Sequence, residues 1–322
     1  MKVTLLGAGA VGGWLAAGLA RGGAAVSILA RGATLEALRR NGLVFLDGER
    51  RDVHRLPAGD DPGALAAPDI LLLGLKGHDL PAALPLIARA LAPHTLVAAV
   101  QNGIPWWFFQ GGFGGPAAGL TLAGVDPGGA LARAIPAERV IGGVAHVGAR
   151  VEAPGVVRLM KQDRMLFGDP AGRHGAALAG LVATLAAGGV NAEAVPDIRM
   201  EIWLKLWGNS NMNPLSALCR ADMQAMLEDP GVAGLVVAMM REMAAVGDAI
   251  GLPLAQSIEE RLVVTRRLGA FRTSMLQDLE AGRRLELGPI LGALVELAAH
   301  CRVEAPTLLG IHGLVRLLVR GG

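Results

Sequence analysis

The chain has 322 residues, enough for two domains, and its 30 Lys and Arg against 28 Asp and Glu leave a net charge of +2. Those cations are scattered, which excludes a nucleic-acid footprint, and no run of ~18 uninterrupted apolar residues reads as a membrane span although hydrophobic residues make up 52%. The two cysteines, Cys219 and Cys301, sit in helical patterns and read as reduced core thiols of a cytoplasmic protein. No Cys or His cluster has metal-ligand spacing, and the absence of Tyr excludes chemistry in which a phenol supplies the proton.

The first element is a short apolar strand at 2–6 that runs directly into Gly7-Ala-Gly9-Ala-Val-Gly12. In such a turn the first glycine permits the tight bend. The second lets backbone approach a pyrophosphate, and the third lets the following helix pack on the strand. The helix, Ala10 to Arg21, offers unpaired N–H groups to phosphate at its start. Gly7, Gly9, Ala10, Val11 and Gly12 are therefore candidate dinucleotide contacts. A secretory leader is the competing reading of Lys2 and the apolar stretch after it. Glycines at 7, 9, 12 and 13 interrupt that stretch, and a second strand at 25–30 completes a βαβ unit.

Arg31 follows the second strand, and no acid lies between Ser27 and Leu35. A carboxylate at this place would accept from a ribose 2′-hydroxyl, whereas a guanidinium binds a 2′-phosphate. NADP(H) is thus expected over NAD(H), with Lys76, just after the apolar run 69–74, as a second cation at the same edge.

A strand pair is expected at 43–56 around Asp47-Gly48, and further strands at 69–74 and 95–100, with helical patterns between most of them. This alternation predicts a parallel sheet covered by helices. Residues 139–149, 155–160 and 164–168 form a second β-rich stretch, with a turn at Glu152-Ala-Pro-Gly155. The segment 103–130 carries Trp106-Trp107-Phe108-Phe109, which reads as core, a surface helix packed on the sheet, a lid or a subunit contact. From Pro196 the period becomes 3.6, with helices expected at 197–218, 230–250, 254–268, 273–281, 287–301 and 306–320. The expected division is an α/β domain, 1–196, and an all-α domain, 197–322.

The densest polar pattern lies in the first of these helices. Lys205, Asn209 and Asn213 recur at i, i+4 and i+8 and form one stripe, flanked by Leu204, Leu206 and Trp207. A lysine desolvated by such neighbours has a pKa lowered toward neutrality, which suits a general acid. Asparagines can hold a substrate oxygen without adding charge. A second polar group, Thr273-Ser274-Met-Leu-Gln-Asp278 followed by Glu286, reads on its own as a helix cap and a first-turn acid.

Taken together, Gly7-x-Gly9-x-x-Gly12, Arg31, Leu75-Lys76, Asn102-Gly103, Glu201-x-Trp-x-Lys205-Leu-x-x-Asn209-x-x-x-Asn213-Pro-Leu and Ser274-Met-Leu-Gln-Asp278 with Glu286 resemble the ketopantoate reductases. The resemblance spans the chain. It implies a Rossmann-type dinucleotide domain followed by an all-α domain like the C-terminal domain of 6-phosphogluconate dehydrogenase. It also implies NADPH-dependent reduction of ketopantoate (2-dehydropantoate), a step of pantothenate synthesis. By that resemblance Lys205 is the proton donor and Glu286 the acid that steadies it. Asn209 and Asn213 position substrate, Ser274 binds its carboxylate, and Asn102 lies beside substrate and nicotinamide.

The sequence departs from the family where a second carboxylate and an asparagine commonly follow Glu286, and where Phe271 stands in place of a common asparagine. A more apolar substrate surround is implied, and with it a second reading, a reductase of another 2-oxo acid. The reading from a different class is an NADP(H) sensor without turnover; the polar set Lys205, Asn209, Asn213, Ser274 and Glu286 argues against it. The small-molecule substrate is the expected partner, with neither nucleic acid nor membrane, and a homodimer is a further expectation.

Overall fold

A computed structural model describes residues 1–320. Elements are numbered in chain order. The strands are β1 (Lys2–Leu6), β2 (Ala25–Leu29), β3 (Leu43–Asp47), β4 (Arg50–His54), β5 (Ala58–Gly59), β6 (Ile70–Leu73), β7 (Leu96–Ala99), β8 (Val140–Ala153), β9 (Val156–Gly168) and β10 (Ala192–Ala194). The helices up to the long central one are α1 (Ala10–Arg21), α2 (Gly32–Asn41), α3 (Leu80–Ala90), α4 (Ala130–Ala134), α5 (Gly175–Ala187) and α6 (Ile198–Cys219). Then follow α7 (Met223–Glu228), α8 (Pro230–Ile250), α9 (Ile258–Arg266), α10 (Ser274–Glu280), α11 (Ala293–Cys301) and α12 (Pro306–Leu318).

Two compact units result, one of 1–101 with 130–201 and one of 102–129 with 202–320. This differs from a single cut at 196/197 chiefly in the segment 102–129, which groups with the helical half. Its aromatic run explains why. Trp106, Trp107, Phe108 and Phe109 are all buried, and Phe108 lies 6.4 Å from the ring of Trp203 on α6. The run is core of the helical unit, not a surface.

The first unit is built on one sheet in the order β4-β3-β9-β8-β7-β6-β1-β2-β5, with β10 paired to β9. From β8 to β5 all neighbours are parallel. Taken by chain position, these six strands have the order of the doubly wound dinucleotide fold. β6 is buried throughout and β1 after its first residue, which is why both read as unbroken apolar runs. The outer strands are less regular. β8 and β9 form a long antiparallel hairpin with three register shifts, where the sequence suggested three shorter pieces. The β3–β4 hairpin, expected at 43–56, joins that outer region through a parallel pair between β3 and β9.

The strand order reverses between the parallel neighbours β1 and β6, which is the topological switch point of such a sheet. Gly7 takes φ +93°, open to glycine and strained for other residues. A Cβ on Gly12 would lie 2.4 Å from the Gly7 carbonyl oxygen. A glycine that sequence reasoning passed over, Gly74 at the end of β6, closes the turn from the other side.

The helical unit follows the expected 3.6-residue pattern, with α7 as an addition and a π-helical turn at Gly288–Gly292 leading into α11. None of the described helices is long and apolar enough to cross a membrane. Cys301 is only partly buried, short of the core position expected, and burial raises its thiol pKa. Cys219 is exposed at the end of α6, outside the core that its helical pattern suggested.

The Gly74→Ala substitution tests the turn. Its Cβ would lie 2.5 Å from the Gly7 carbonyl oxygen and 2.9 Å from the Gly12 Cα, so backbone must move. A loss of about 1–3 kcal/mol is expected, read as a lower urea midpoint; an unchanged midpoint would contradict the packing described.

Candidate active site

Each unit carries its own set of candidate residues. In the first, the order β2-β1-β6 sets three connections side by side at the carboxyl ends of the strands. Arg31 follows β2, the glycine turn follows β1, and Lys76 follows β6. Arg31 is exposed, and Lys76 is partly buried. The start of α1 has no side-chain cap and no acidic residue in its first turn. A Cβ on Gly9 would meet only the Gly74 carbonyl oxygen, at 3.7 Å, so the space over the turn is open within the chain. Uncapped amides, an open cradle and no competing carboxylate suit a pyrophosphate. Gln101 braces this edge by donating from Nε2 to the carbonyl oxygens of Leu73 (2.8 Å) and Leu75 (3.2 Å).

In the second unit the polar residues converge around α6. That helix is fixed by its apolar face. The Trp207 indole N–H donates to the Met240 carbonyl oxygen on α8 at 3.0 Å, and the Ser210 hydroxyl to the Met243 Sδ at 3.3 Å. Trp203, Trp207 and Leu206 are buried, whereas Leu204, Lys205, Gly208 and Asn209 are only partly buried and form the open strip.

The Lys205 ammonium donates to the Asn102 Oδ1 at 2.8 Å, and the Asn102 amide nitrogen reaches Glu286 Oε2 at 3.5 Å. The three residues come from distant parts of the sequence, and backbone geometry brings them together. Gly103, at φ +80°, lies against the π-helical turn that follows Glu286, and the Ile104 N–H donates to the Pro289 carbonyl oxygen at 2.9 Å. A Cβ on Gly103 would lie 2.3 Å from that same oxygen. The pair Asn102-Gly103 thus does two jobs: the glycine docks the loop and the asparagine joins the polar group.

Lys205 keeps part of its residue surface open, but its ammonium is withdrawn from water. Desolvation pulls its pKa down to about 8, against the opposing pull of the Glu286 charge. The group is therefore mainly protonated at neutral pH and close to the point at which it releases a proton. Glu286 is itself 7% exposed and precedes the helical turn, consistent with a buried acid held beside a cation.

A residue that sequence reasoning missed, Ser216, ties α6 to the start of α10. The Ser216 hydroxyl bonds the Asn213 carbonyl oxygen at 2.9 Å and also the Thr273 hydroxyl. Thr273, not Ser274, caps α10: its Oγ1 accepts from the Leu276 N–H at 3.2 Å. The cap reading of Ser274 is corrected by one position, and its exposed hydroxyl is left uncommitted. Asn213 is buried, and its amide nitrogen has no partner among the described residues. A buried donor without an acceptor is costly unless a ligand meets it. A positioned ammonium, neutral amide donors and a hydroxyl suit a substrate whose oxygen gains negative charge as it reacts.

The model of "Ketopantoate reductase PanE/ApbA" matches residues 3–105, and that of its C-terminal part matches 197–319. A 2-dehydropantoate 2-reductase of Mesorhizobium japonicum is 40% identical over 319 residues, covering 99% of this chain and 98% of its own. A crystal structure from Ralstonia solanacearum MolK2, assigned as a ketopantoate reductase, superposes with a TM-score of 0.93 at 40% identity, covering 99% and 98% of the two chains. That of the 2-dehydropantoate 2-reductase from Methylococcus capsulatus gives 0.85 at 28% identity, covering 99% and 96%. With a relative of that identity along its full length, the chain belongs to the ketopantoate reductase family.

Proposed function

We propose that this protein reduces 2-dehydropantoate to pantoate, taking a hydride from NADPH and a proton from Lys205. The observation that carries the reading is the Lys205–Asn102–Glu286 group, in which a desolvated ammonium with a pKa of about 8 is held by an amide and backed by a buried carboxylate. A dinucleotide-binding sensor needs no such group.

The residues of the first unit fit the cofactor. The uncapped start of α1 and the open space over Gly9 would receive the pyrophosphate, and Arg31 and Lys76 would meet the 2′-phosphate. When bound, NADPH supplies hydride to the carbonyl carbon of the substrate. Lys205 has three N–H donors, so it keeps its bond to Asn102 while directing another at the carbonyl oxygen. As charge builds on that oxygen the ammonium stabilises it and then transfers the proton, leaving a neutral amine and a hydroxyl. Glu286 favours the charged lysine before the transfer. Asn209, Asn213 and Ser274 hold the rest of the substrate, with the unpartnered Asn213 amide donating.

A second reading, reduction of a more apolar 2-oxo acid, is favoured by Phe271. This side chain is 43% exposed three residues before Ser274. Activity on plain branched 2-oxo acids equal to that on ketopantoate would select it.

In the Lys205→Ala enzyme, kcat is expected to fall by roughly a hundred- to ten-thousand-fold with NADPH affinity retained, as measured by NADPH oxidation and fluorescence titration. Wild-type reduction should decline as pH rises through about 8, because the acid form of Lys205 is then lost. Full turnover in the alanine variant would refute the assignment. The Arg31→Ala variant should weaken NADPH binding roughly 10- to 100-fold and leave NADH nearly unchanged; equal losses for both cofactors would remove Arg31 from the 2′-phosphate.

A further inference from the structure

Arg261 on α9 has an arrangement that the residues above do not explain. Its guanidinium lies against α6 at Gly208, where a Cβ would stand 2.8 Å from Nη2 and 3.6 Å from Cζ. Any larger residue at 208 would displace it. Gly208 belongs to the open strip of α6, one turn beyond Lys205 and next to Asn209. Side chains at that spacing are neighbours on a helix, with Cβ positions ~5–6 Å apart.

The guanidinium makes no ion pair and no side-chain hydrogen bond with any described residue, and its Nε is buried without a partner. Burial without a compensating carboxylate also lowers its pKa. Arginines elsewhere on this chain show the ordinary solution: Arg283 meets Asp278 at 2.8 Å, and Arg158 and Arg150 meet Glu152. A half-buried cation kept free over Gly208, one helical turn from Lys205, is suited to an anion that arrives from outside.

We infer that Arg261, seated on Gly208, binds the carboxylate of the 2-oxo acid and so sets specificity for an acid over its neutral analogues. This rests on the reading of the preceding subsection. The chemistry is constrained by the substrate, because the carboxylate of a 2-oxo acid is bonded directly to the carbonyl carbon. With Lys205 at the carbonyl oxygen, the carboxylate must lie within one bond of the reacting carbon. A second cation one helical turn along α6 is placed to meet it. The guanidinium fork can take both carboxylate oxygens, which the Ser274 hydroxyl alone cannot.

The test compares ketopantoate, trimethylpyruvate and the methyl ester of trimethylpyruvate with wild type, Arg261→Ala, Arg261→Lys and Gly208→Val. Wild type should prefer acid to ester. Arg261→Ala should raise KM for both acids roughly 10- to 100-fold and reduce the acid-to-ester preference by a similar factor, with NADPH affinity unchanged. Arg261→Lys should recover part of that preference, since it restores charge but not the fork. Gly208→Val should reproduce the alanine result with the arginine still present. Wild-type KM values and an unchanged acid-to-ester ratio in Arg261→Ala would overturn the inference while leaving the reductase reading intact. If wild type reduces none of the three, that reading fails. Calorimetry with trimethylpyruvate in the presence of NADP+ then decides the inference separately: binding to wild type and its loss in Arg261→Ala supports it, and equal binding or no binding to either overturns it.

Discussion

The chemistry of this protein depends on withholding one ammonium group from water. A lysine in solvent holds its proton too tightly to release it at neutral pH. Lys205 is desolvated until its pKa falls to about 8, and Glu286 keeps the charged form from being lost altogether. Burial and a nearby carboxylate act in opposite directions, and their balance leaves an acid that is loaded yet ready to transfer. Asn102 fixes where the ammonium points.

The rest of the helical unit can be read as the means of holding that balance. α6 is anchored on its apolar face by Trp203, Trp207 and Ser210, which leaves a narrow strip open. The loop at Asn102 is brought to the residues around Glu286 because Gly103 accepts a backbone carbonyl where a side chain would clash. The aromatic run at 106–109 adds bulk beneath α6. In the dinucleotide unit the governing constraint is different. There backbone must approach backbone at the switch point, so Gly7, Gly12 and Gly74 meet with no room for a Cβ.

Local patterns made much of this legible. The strand and glycine turn, the parallel core and most of the helices follow from apolar runs and 3.6-residue periodicity. Lys205, Asn209 and Asn213 were visible as a stripe because helix geometry alone puts them together. What sequence reasoning could not reach depended on distant contacts. Nothing local tells β3 to pair with β9, or the segment after Gln101 to join the helical unit. Gly74 looks like any strand-end glycine until Gly7 and Gly12 are set against it. Thr273 and Ser274 are adjacent and chemically alike, so the choice of cap could be settled only by geometry. Arg261 lies in an ordinary charged helix, and its significance comes only from the glycine it covers.

The state of Lys205 is the point on which the account turns, and it can be observed without turnover. Selective isotope labelling of lysine, with Lys205→Arg to assign the signal, allows its Cε resonance to be titrated by NMR in wild type and in Glu286→Gln. A midpoint of about 8 is expected in wild type and a lower one in the variant, because a charge that raises the pKa has been removed. A wild-type midpoint near the ordinary lysine value, or one that Glu286→Gln leaves in place, would contradict it.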